Sequence, residues 1–583
     1  MPFFHKLIPA TPWIRYAAII FLGAIAHVFV LQADFYLDDG MHIIGHPVIE
    51  HGTWWEKTFR WIPYLIWSGV YKLFGTAAPA YHALTFATHL TIACLIYPIG
   101  RQLLTVAKVL PQEMDRELAP WIGALIFVCH PITSEPVHYA RCLMIDLVAL
   151  FTLMTVWRAL VFTQAPNWRN AVLLAVVMIL GVSSKQPGIG HVSLSAAIVI
   201  GAFGSWRRWR SQIDLKNWKH ASATSVAALG LILILTQWFE RGAQALAHPQ
   251  LLDHALTQSR VFWEYAQRIV LPINLSVDHY IAWTATWRDP AAIISALALA
   301  GVVGIAAWML KTRRWRLAGV LLCLALAQIL IRFGYVIGEL MVEYRLYPAM
   351  PFIALGAGCG LVVLIRKQRL AGIAATLVVL LGFTALTTER SGLWTDSGLI
   401  AANAAEQYPL NLRAWGSMQY AAALDNHPNR VLELKEQADA AFYGTLAYNR
   451  EHPNRGYDIS RLHLWYATFL QHCAYAKTKL DGIDAGANYS QQLLNQMIEE
   501  FPEWYLVDRQ HPNPLVVSKY SLAREVYAHA LADYTGRVTV PILFDRQTKS
   551  IVNNESREII RLLDHEFAEF GNESNFHPPE LRA

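Results

Sequence analysis

The chain has 583 residues, 55% of them hydrophobic and 16% charged, with 21 Trp and a mean hydropathy of +0.29. A water-soluble protein of this length cannot hide that much apolar surface in its core, so composition excludes a soluble globular chain and points to a polytopic membrane protein. The net charge of +5 is informative only as a distribution. The six cysteines (Cys94, Cys129, Cys142, Cys323, Cys359, Cys473) are too scattered for a disulfide framework or a CxxC zinc site.

Apolar residues are concentrated before about Thr388, and the remainder is ordinary in polarity. A membrane domain over residues 1–390 is therefore expected to be followed by a helical water-soluble domain over 391–583. Stretches approaching 20 apolar residues mark candidate crossings near 14–32, 80–100, 119–131, 142–163, 170–184, 188–204, 221–239, 291–310, 317–333, 347–365 and 371–388, about eleven in all. Lys6 and Arg15 precede Tyr16 to Leu31 without a convincing cleavage site, so this first segment reads as an uncleaved helix. Basic residues gather in alternate loops: Arg207, Arg208, Arg210, Lys216 and Lys219; Lys311, Arg313, Arg314 and Arg316; Arg366, Lys367 and Arg369. By the positive-inside rule these loops and the N-terminus are cytoplasmic, and the C-terminal domain lies on the opposite side, most simply in a bacterial periplasm.

Asp38 and Asp39 follow the first crossing directly. Two carboxylates beside hydrocarbon are expensive and mark a functional site by default. The Trp-rich stretch that follows (Trp54, Trp55, Trp61, Trp67) is expected to lie in the membrane interface, because Pro63 and its length argue against a crossing. The third crossing ends at His130-Pro131 and leads through Glu135, His138 and Arg141 to Asp146, more ionisable groups than a short hairpin needs. Lys185 follows Ser184 at a comparable depth, and a lone lysine there can also simply snorkel. The long segment from Phe239 to Pro290 carries Arg260, Glu264, Arg268, Asp278 and His279. Arg332 ends the ninth crossing, and Glu339, Glu343 and Arg345 open the tenth, the two glutamates sharing one helical face. Together these cations and carboxylates describe a site for something anionic with a lipid tail, or an ion-pair network that holds the helices together. After Trp394, the run Tyr408-Pro409-Leu410-Asn411 between helical segments has the form of one tetratricopeptide-like repeat, although no 34-residue period continues.

The order of these motifs, Asp38-Asp39 through Pro47-Val48, His130-Pro131 with Glu135 and Tyr139, Ser184-Lys185, Leu271-Pro272, Glu343-Tyr344-Arg345-Leu346-Tyr347-Pro348 and the Tyr-Pro-x-Asn turn, resembles the GT-C class of membrane glycosyltransferases. Among these it is similar to the TMTC-type O-mannosyltransferases and their bacterial relatives. His46 before Pro47 and Gln186 after Lys185 depart from that pattern. The resemblance implies an inverting transfer of sugar from a polyprenyl-phosphate donor to a protein or glycan hydroxyl. In that scheme Asp39, with Asp38 as alternate, is the base; Arg345, Lys185 and Arg332 bind the donor phosphate; and Glu343, Glu135, Arg141 and His130 orient the site. A divalent cation, Mg or Mn, is a candidate for the Asp pair. The alternative is a non-catalytic membrane scaffold or lipid-carrier translocator whose repeats bind a partner.

Overall fold

With no water in hydrocarbon to satisfy backbone amides, apolar segments close their hydrogen bonds internally as helices. The computed structural model describes residues 11–205, 248–500 and two short strands beyond them, apart from a few single positions. It is an all-helical architecture. The first helices are α1 (Pro12–Ala26), α2 (Trp61–Phe74), α3 (Ala78–Ala107), α4 (Glu113–Cys129), α5 (Leu143–Gln164), α6 (Trp168–Val182) and α7 (Gly188–Phe203). They are followed by α8 (Leu251–Val270), α9 (Pro290–Lys311), α10 (Arg316–Leu330), α11 (Met350–Lys367) and α12 (Arg369–Leu393). The polar part adds α13 (Ser397–Gln407), α14 (Leu412–Leu424), α15 (Lys435–Glu451), α16 (Ile459–Asp481) and α17 (Ile483–Glu500).

Ten of the eleven apolar segments coincide with helices, and the eleventh, 221–239, lies outside the described residues. Eleven full crossings, however, are not established. Among the described residues, six helical stretches are long and apolar enough to cross a membrane: Ala78–Ala107, Ala140–Gln164, Pro290–Lys311, Arg316–Gly334, Glu343–Lys367 and Arg369–Leu393. α1, α6 and α7 are apolar but have only 15, 15 and 16 residues, which is about 23 Å of helix against a hydrocarbon core of about 30 Å. The Trp-rich helix α2 is shorter still, and it buries Ile62, Pro63, Tyr64, Trp67 and Ser68 while exposing Leu65, Leu73 and Phe74.

Small residues decide which helices touch. At Gly123 on α4 a Cβ would come within 2.9 Å of the Ala354 carbonyl oxygen on α11, and at Gly358 on α11 it would fall on the Ala119 carbonyl. The two backbones can therefore meet only because both positions lack a side chain, the usual device for close helix packing in lipid. Helix starts are fixed locally. Pro290 follows the N-cap Asp289, whose carboxylate accepts from Ala291 N at 3.0 Å, and Asn167 caps α6 by accepting from Asn170 N.

The chain forms two compact units, Met1–Phe469 and Leu470–Ala583. The first includes helices beyond the polarity change near residue 390. Within it, α13 and α14 make the expected helix-turn-helix: Asn411 caps α14 by accepting from Arg413 N and Ala414 N. The next helix, Pro428–Glu433, is only six residues long, so no second copy of equal length follows. Strands β1 (Trp283–Thr284) and β2 (Arg455–Gly456) pair antiparallel, tying the loop after α8 to the turn before α16. In the second unit, β3 (Leu543–Asp545) pairs antiparallel with β4 (Ser550–Asn553). The sequence reads as a short extended excursion over Val538 to Asp545, of which Leu543–Asp545 is a strand, and as helices at Ser518 to Tyr534 and Ser556 to Phe570, which lie outside the described residues.

Candidate functional site

The alternation of helices places the loops after α1, α4, α6, α10 and α12 at one end of the bundle, and the ionisable residues gather there. Asp39 opens a one-turn helix, Asp39–His42, and is completely buried. Its Oδ1 accepts from Arg141 N at 2.7 Å and its Oδ2 from Tyr36 N at 3.1 Å. Burial nevertheless outweighs these two donors and pushes its carboxyl up to about 7. Asp38, by contrast, is partly exposed and pairs with the Arg141 guanidinium, while its N–H donates to the Tyr139 hydroxyl at 3.1 Å. The two neighbouring carboxylates thus have different environments. One is a buried group titrating near neutrality, the other a salt-bridged group at the rim.

Lys185 and Arg345 flank one ring. The ammonium of Lys185 lies 5.0 Å from the centroid of Tyr344, and the guanidinium carbon of Arg345 lies 5.9 Å from it. Arg345 is buried, donates to the Glu339 carbonyl, and pairs with the Glu339 carboxylate at 3.2 Å. Lys185 is half-buried; burial, with the positive charges of Arg332 and Arg141, pushes its ammonium well below the usual lysine range. Such crowding of cations is costly unless an anion shares the space. Glu339 lies between Arg345 and Arg413 of α14, which donates to it at 3.0 Å; although burial raises its carboxyl, Arg413 and Arg345 outweigh that and hold it below the usual glutamate range.

A second cluster adjoins it. Glu343 is fully buried and accepts from Ser276 N at 2.7 Å and from Arg390 Nη2 at 2.9 Å, with His279 Nε2 at 2.8 Å. The carboxylate is an obligate acceptor, so His279 presents an N–H to it from Nε2, and the Tyr408 hydroxyl lies 2.8 Å from Nδ1. Arg390 also donates to Ser134 Oγ and the Leu275 carbonyl. Glu135, also buried, accepts from Tyr344 N at 2.9 Å; burial and the negative charge of Glu343 hold its carboxyl well above the usual range.

Of the residues singled out in the sequence, the structure thus brings together Asp38, Asp39, Arg141, Lys185, Arg332 and Arg345, with Glu135 and Glu343 adjoining them through Tyr344. It does not join His130 to them. The His130 ring accepts from Ile132 N at 3.2 Å, lies 3.0 Å from the Ile269 carbonyl and packs on Phe383, which makes it the cap of a turn. Asp146 is buried on α5, and among the described residues neither of its carboxyl oxygens has a hydrogen-bond partner. Arg390 and the Asp278–Arg413 pair were not anticipated as site members. The signal for Arg390 was present, since it is an arginine at the end of an apolar helix, just as Arg332 is. Asp38 and Asp39 are engaged by Arg141 and backbone amides; among the described residues no group of three or more His, Cys, Asp or Glu side chains is placed to hold a metal ion.

Comparison with known proteins finds similarity, over short stretches, to proteins other than those the motifs resemble. Over 59 residues the chain is 49% identical to the glutathionyl-hydroquinone reductase PcpF of Sphingobium chlorophenolicum, a match covering 10% of this chain and 19% of the reductase. It is 44% identical over 59 residues to the glutathionyl-hydroquinone reductase YqjG of Escherichia coli, covering 10% and 18%. It is also 47% identical over 45 residues to the glutathione S-transferase omega-like 2 of Saccharomyces cerevisiae, covering 8% and 12%. The chain therefore spans less than a fifth of the length of these relatives. No family profile and no solved structure matches. These findings overturn the GT-C resemblance, the glycosyltransferase assignment and the sugar transfer from polyprenyl phosphate, and with them the protein-glycosylation role. The physical reason is that the motifs span two to eleven positions and sit at helix ends. Charged residues, prolines and aromatics collect there in any helical membrane protein, because loops must cap helices and meet the interface.

Proposed function

We propose that the protein is an integral membrane protein that binds the anionic, phosphate-bearing head group of a membrane lipid where Lys185 and Arg345 flank Tyr344. The observation that carries this reading is the convergence of Lys185, Arg345, Arg332 and Arg141 at one end of apolar helices, two of them against a single ring. Arg345 supplies a planar fork and Lys185 a point charge; both are suited to a phosphate. Asp39 serves as a nearby proton acceptor and donor, and Glu135, Glu343 and Arg141 fix the backbone that presents the cations. Up to eleven crossings, a tetratricopeptide-like pair at Ser397–Leu424, and a bacterial inner-membrane location with the site facing the periplasm complete the proposal.

The test is binding of the full-length protein to nanodiscs of phosphatidylglycerol against phosphatidylcholine. Arg345→Ala and Lys185→Ala are each expected to weaken the preference for the anionic lipid about tenfold, with Arg345→Lys intermediate because one charge survives. Equal preference in the parent and both alanine variants would refute the reading.

A second reading rests on the short similarity alone. The relatives' names describe enzymes that reduce glutathionyl-hydroquinones, and a 44–49% identity over 59 residues favours a glutathione-related role for the stretch that matches. Turnover of a glutathionyl-hydroquinone by the purified chain would favour it over lipid binding as the primary role; absence of turnover and of glutathione binding would remove it.

A further inference from the structure

Asp146 takes no part in the pairs described above. It stands in the first turn of α5, and α5 packs on α6, on α7 and on the turn Glu343–Ala349 that carries Tyr344 and Arg345. Lys185 lies in the link between α6 and α7. Cys142, one turn before Asp146, and Ile145, beside it, belong to the same apolar cluster as Tyr344. Asp146 is 1% exposed, and among the described residues neither of its carboxyl oxygens has a hydrogen-bond partner. Burying a carboxyl without donors is costly, and an ionisable group in a membrane-spanning helix that bears this cost marks a functional site by default. Lys185 is the charged side chain whose field reaches it, yet no hydrogen bond joins the two. The acceptors of Asp146 and the ammonium of Lys185 thus stand near each other across a gap wider than a hydrogen bond.

A group that fills this gap has to donate hydrogen bonds to Asp146 without adding positive charge. Lys185, Arg332 and Arg141 already crowd one another there, which disfavours an ammonium, whereas a hydroxyl is a neutral donor. A bond from a hydroxyl to a carboxylate is also charge-assisted and short. We propose that Asp146 accepts hydrogen bonds from hydroxyl groups of the ligand whose phosphate meets Lys185 and Arg345, so that this ligand is a polyol phosphate ester. The assignment rests on the lipid-phosphate reading above and narrows it from any anionic head group to one with free hydroxyls. The same chemistry has two natural sources, the glycerol head group of a lipid and a soluble glycerol phosphate.

Binding of the full-length protein to phosphatidylglycerol and to phosphatidylethanol, each diluted into phosphatidylcholine nanodiscs, tests the proposal. Both lipids carry a single phosphodiester charge, but the ethyl ester has no free hydroxyl. The parent is expected to bind phosphatidylglycerol about tenfold more tightly, which is the worth of a hydrogen bond to a charged acceptor. Asp146→Ala and Asp146→Leu, which offer no acceptor, should each abolish that difference, whereas Asp146→Asn, whose carboxamide oxygen still accepts, should keep part of it. Because neither oxygen of Asp146 bonds to the protein, Asp146→Ala should melt no lower than the parent, which separates loss of the contact from loss of the fold. Displacement of labelled phosphatidylglycerol by glycerol 1-phosphate assigns the soluble source, and failure to displace it assigns the lipid. Equal affinity of the parent for the two anionic lipids, or a difference that survives in Asp146→Ala or Asp146→Leu, overturns the proposal and leaves the lipid-phosphate reading standing. No preference of the parent for either anionic lipid over phosphatidylcholine alone would overturn both, so the two failures are distinguishable.

Discussion

Asp39→Asn isolates the energetic consequence of burying one carboxyl in the loop after α1. In the native state burial raises its pKa from 3.8 to about 7, against two backbone N–H donors. The folded form thus holds its proton more tightly than the unfolded chain does. The stability this contributes is fully present below pH about 4 and is lost as pH rises through about 7. A difference of roughly three pH units corresponds to about 4 kcal/mol in total, of which roughly 2–3 kcal/mol falls between pH 5 and pH 8. Asparagine cannot titrate, so the variant should be flatter than the parent by that amount over the same interval. Its carboxamide oxygen can still accept from Arg141 N, but its NH2 would face Tyr36 N, donor against donor, at a cost of about 1–3 kcal/mol at every pH. The variant should therefore be weaker than the parent at pH 5, and the gap should close or reverse by pH 8. Thermal unfolding of both proteins in detergent at several pH values, followed by tryptophan fluorescence, measures this. Because every other ionisable group is common to both proteins, the difference between the curves reports Asp39. Parallel curves from pH 5 to pH 8 would refute the argument that burial dominates at this residue.

Breaking the buried Arg390–Glu343 pair from one side, by Glu343→Gln, should destabilise the protein by about 3–5 kcal/mol, because Arg390 then lacks its carboxylate; the double change with Arg390→Met should recover part of that loss in the same melting assay. Asn411→Ala removes the cap of α14 and the bond to the Asp278 carbonyl at 3.1 Å, which should cost about 1–2 kcal/mol and lower the melting temperature. Gly358→Val drives a side chain into the Ala119 carbonyl, and size-exclusion profiles of the detergent-solubilised protein should show loss of the monodisperse peak, whereas Gly360→Ala, where nothing lies within 4 Å of the added carbon, should leave it intact.

The helices were legible in the sequence because each closes its hydrogen bonds with residues four positions away and declares itself by apolarity, which is why Pro290–Lys311 was found within one residue of both ends and Ala78–Ala107 and Arg369–Leu393 within two residues of their starts, although their ends run seven and five residues farther. The turn at Tyr408 to Asn411 was legible for the same local reason, since Asn411 caps the helix that begins beside it. Hydropathy alone could not say whether α6, with 15 residues, reaches across a bilayer, nor which helix it meets. Pairing between ionisable groups was decided only by tertiary structure. Glu343 meets Arg390 across 47 positions and His279 across 64, and Arg413 meets Asp278 across 135, separations at which no local rule relates one residue to another. His130 shows the converse: an ionisable residue in a polar loop looked like part of the site, yet its ring is occupied by backbone groups of its own turn and of α8. Functional assignment from short motifs failed for a related reason, because capping and the interface impose the same residue types on the ends of many unrelated membrane helices, while specificity lies in which of them the packing brings together.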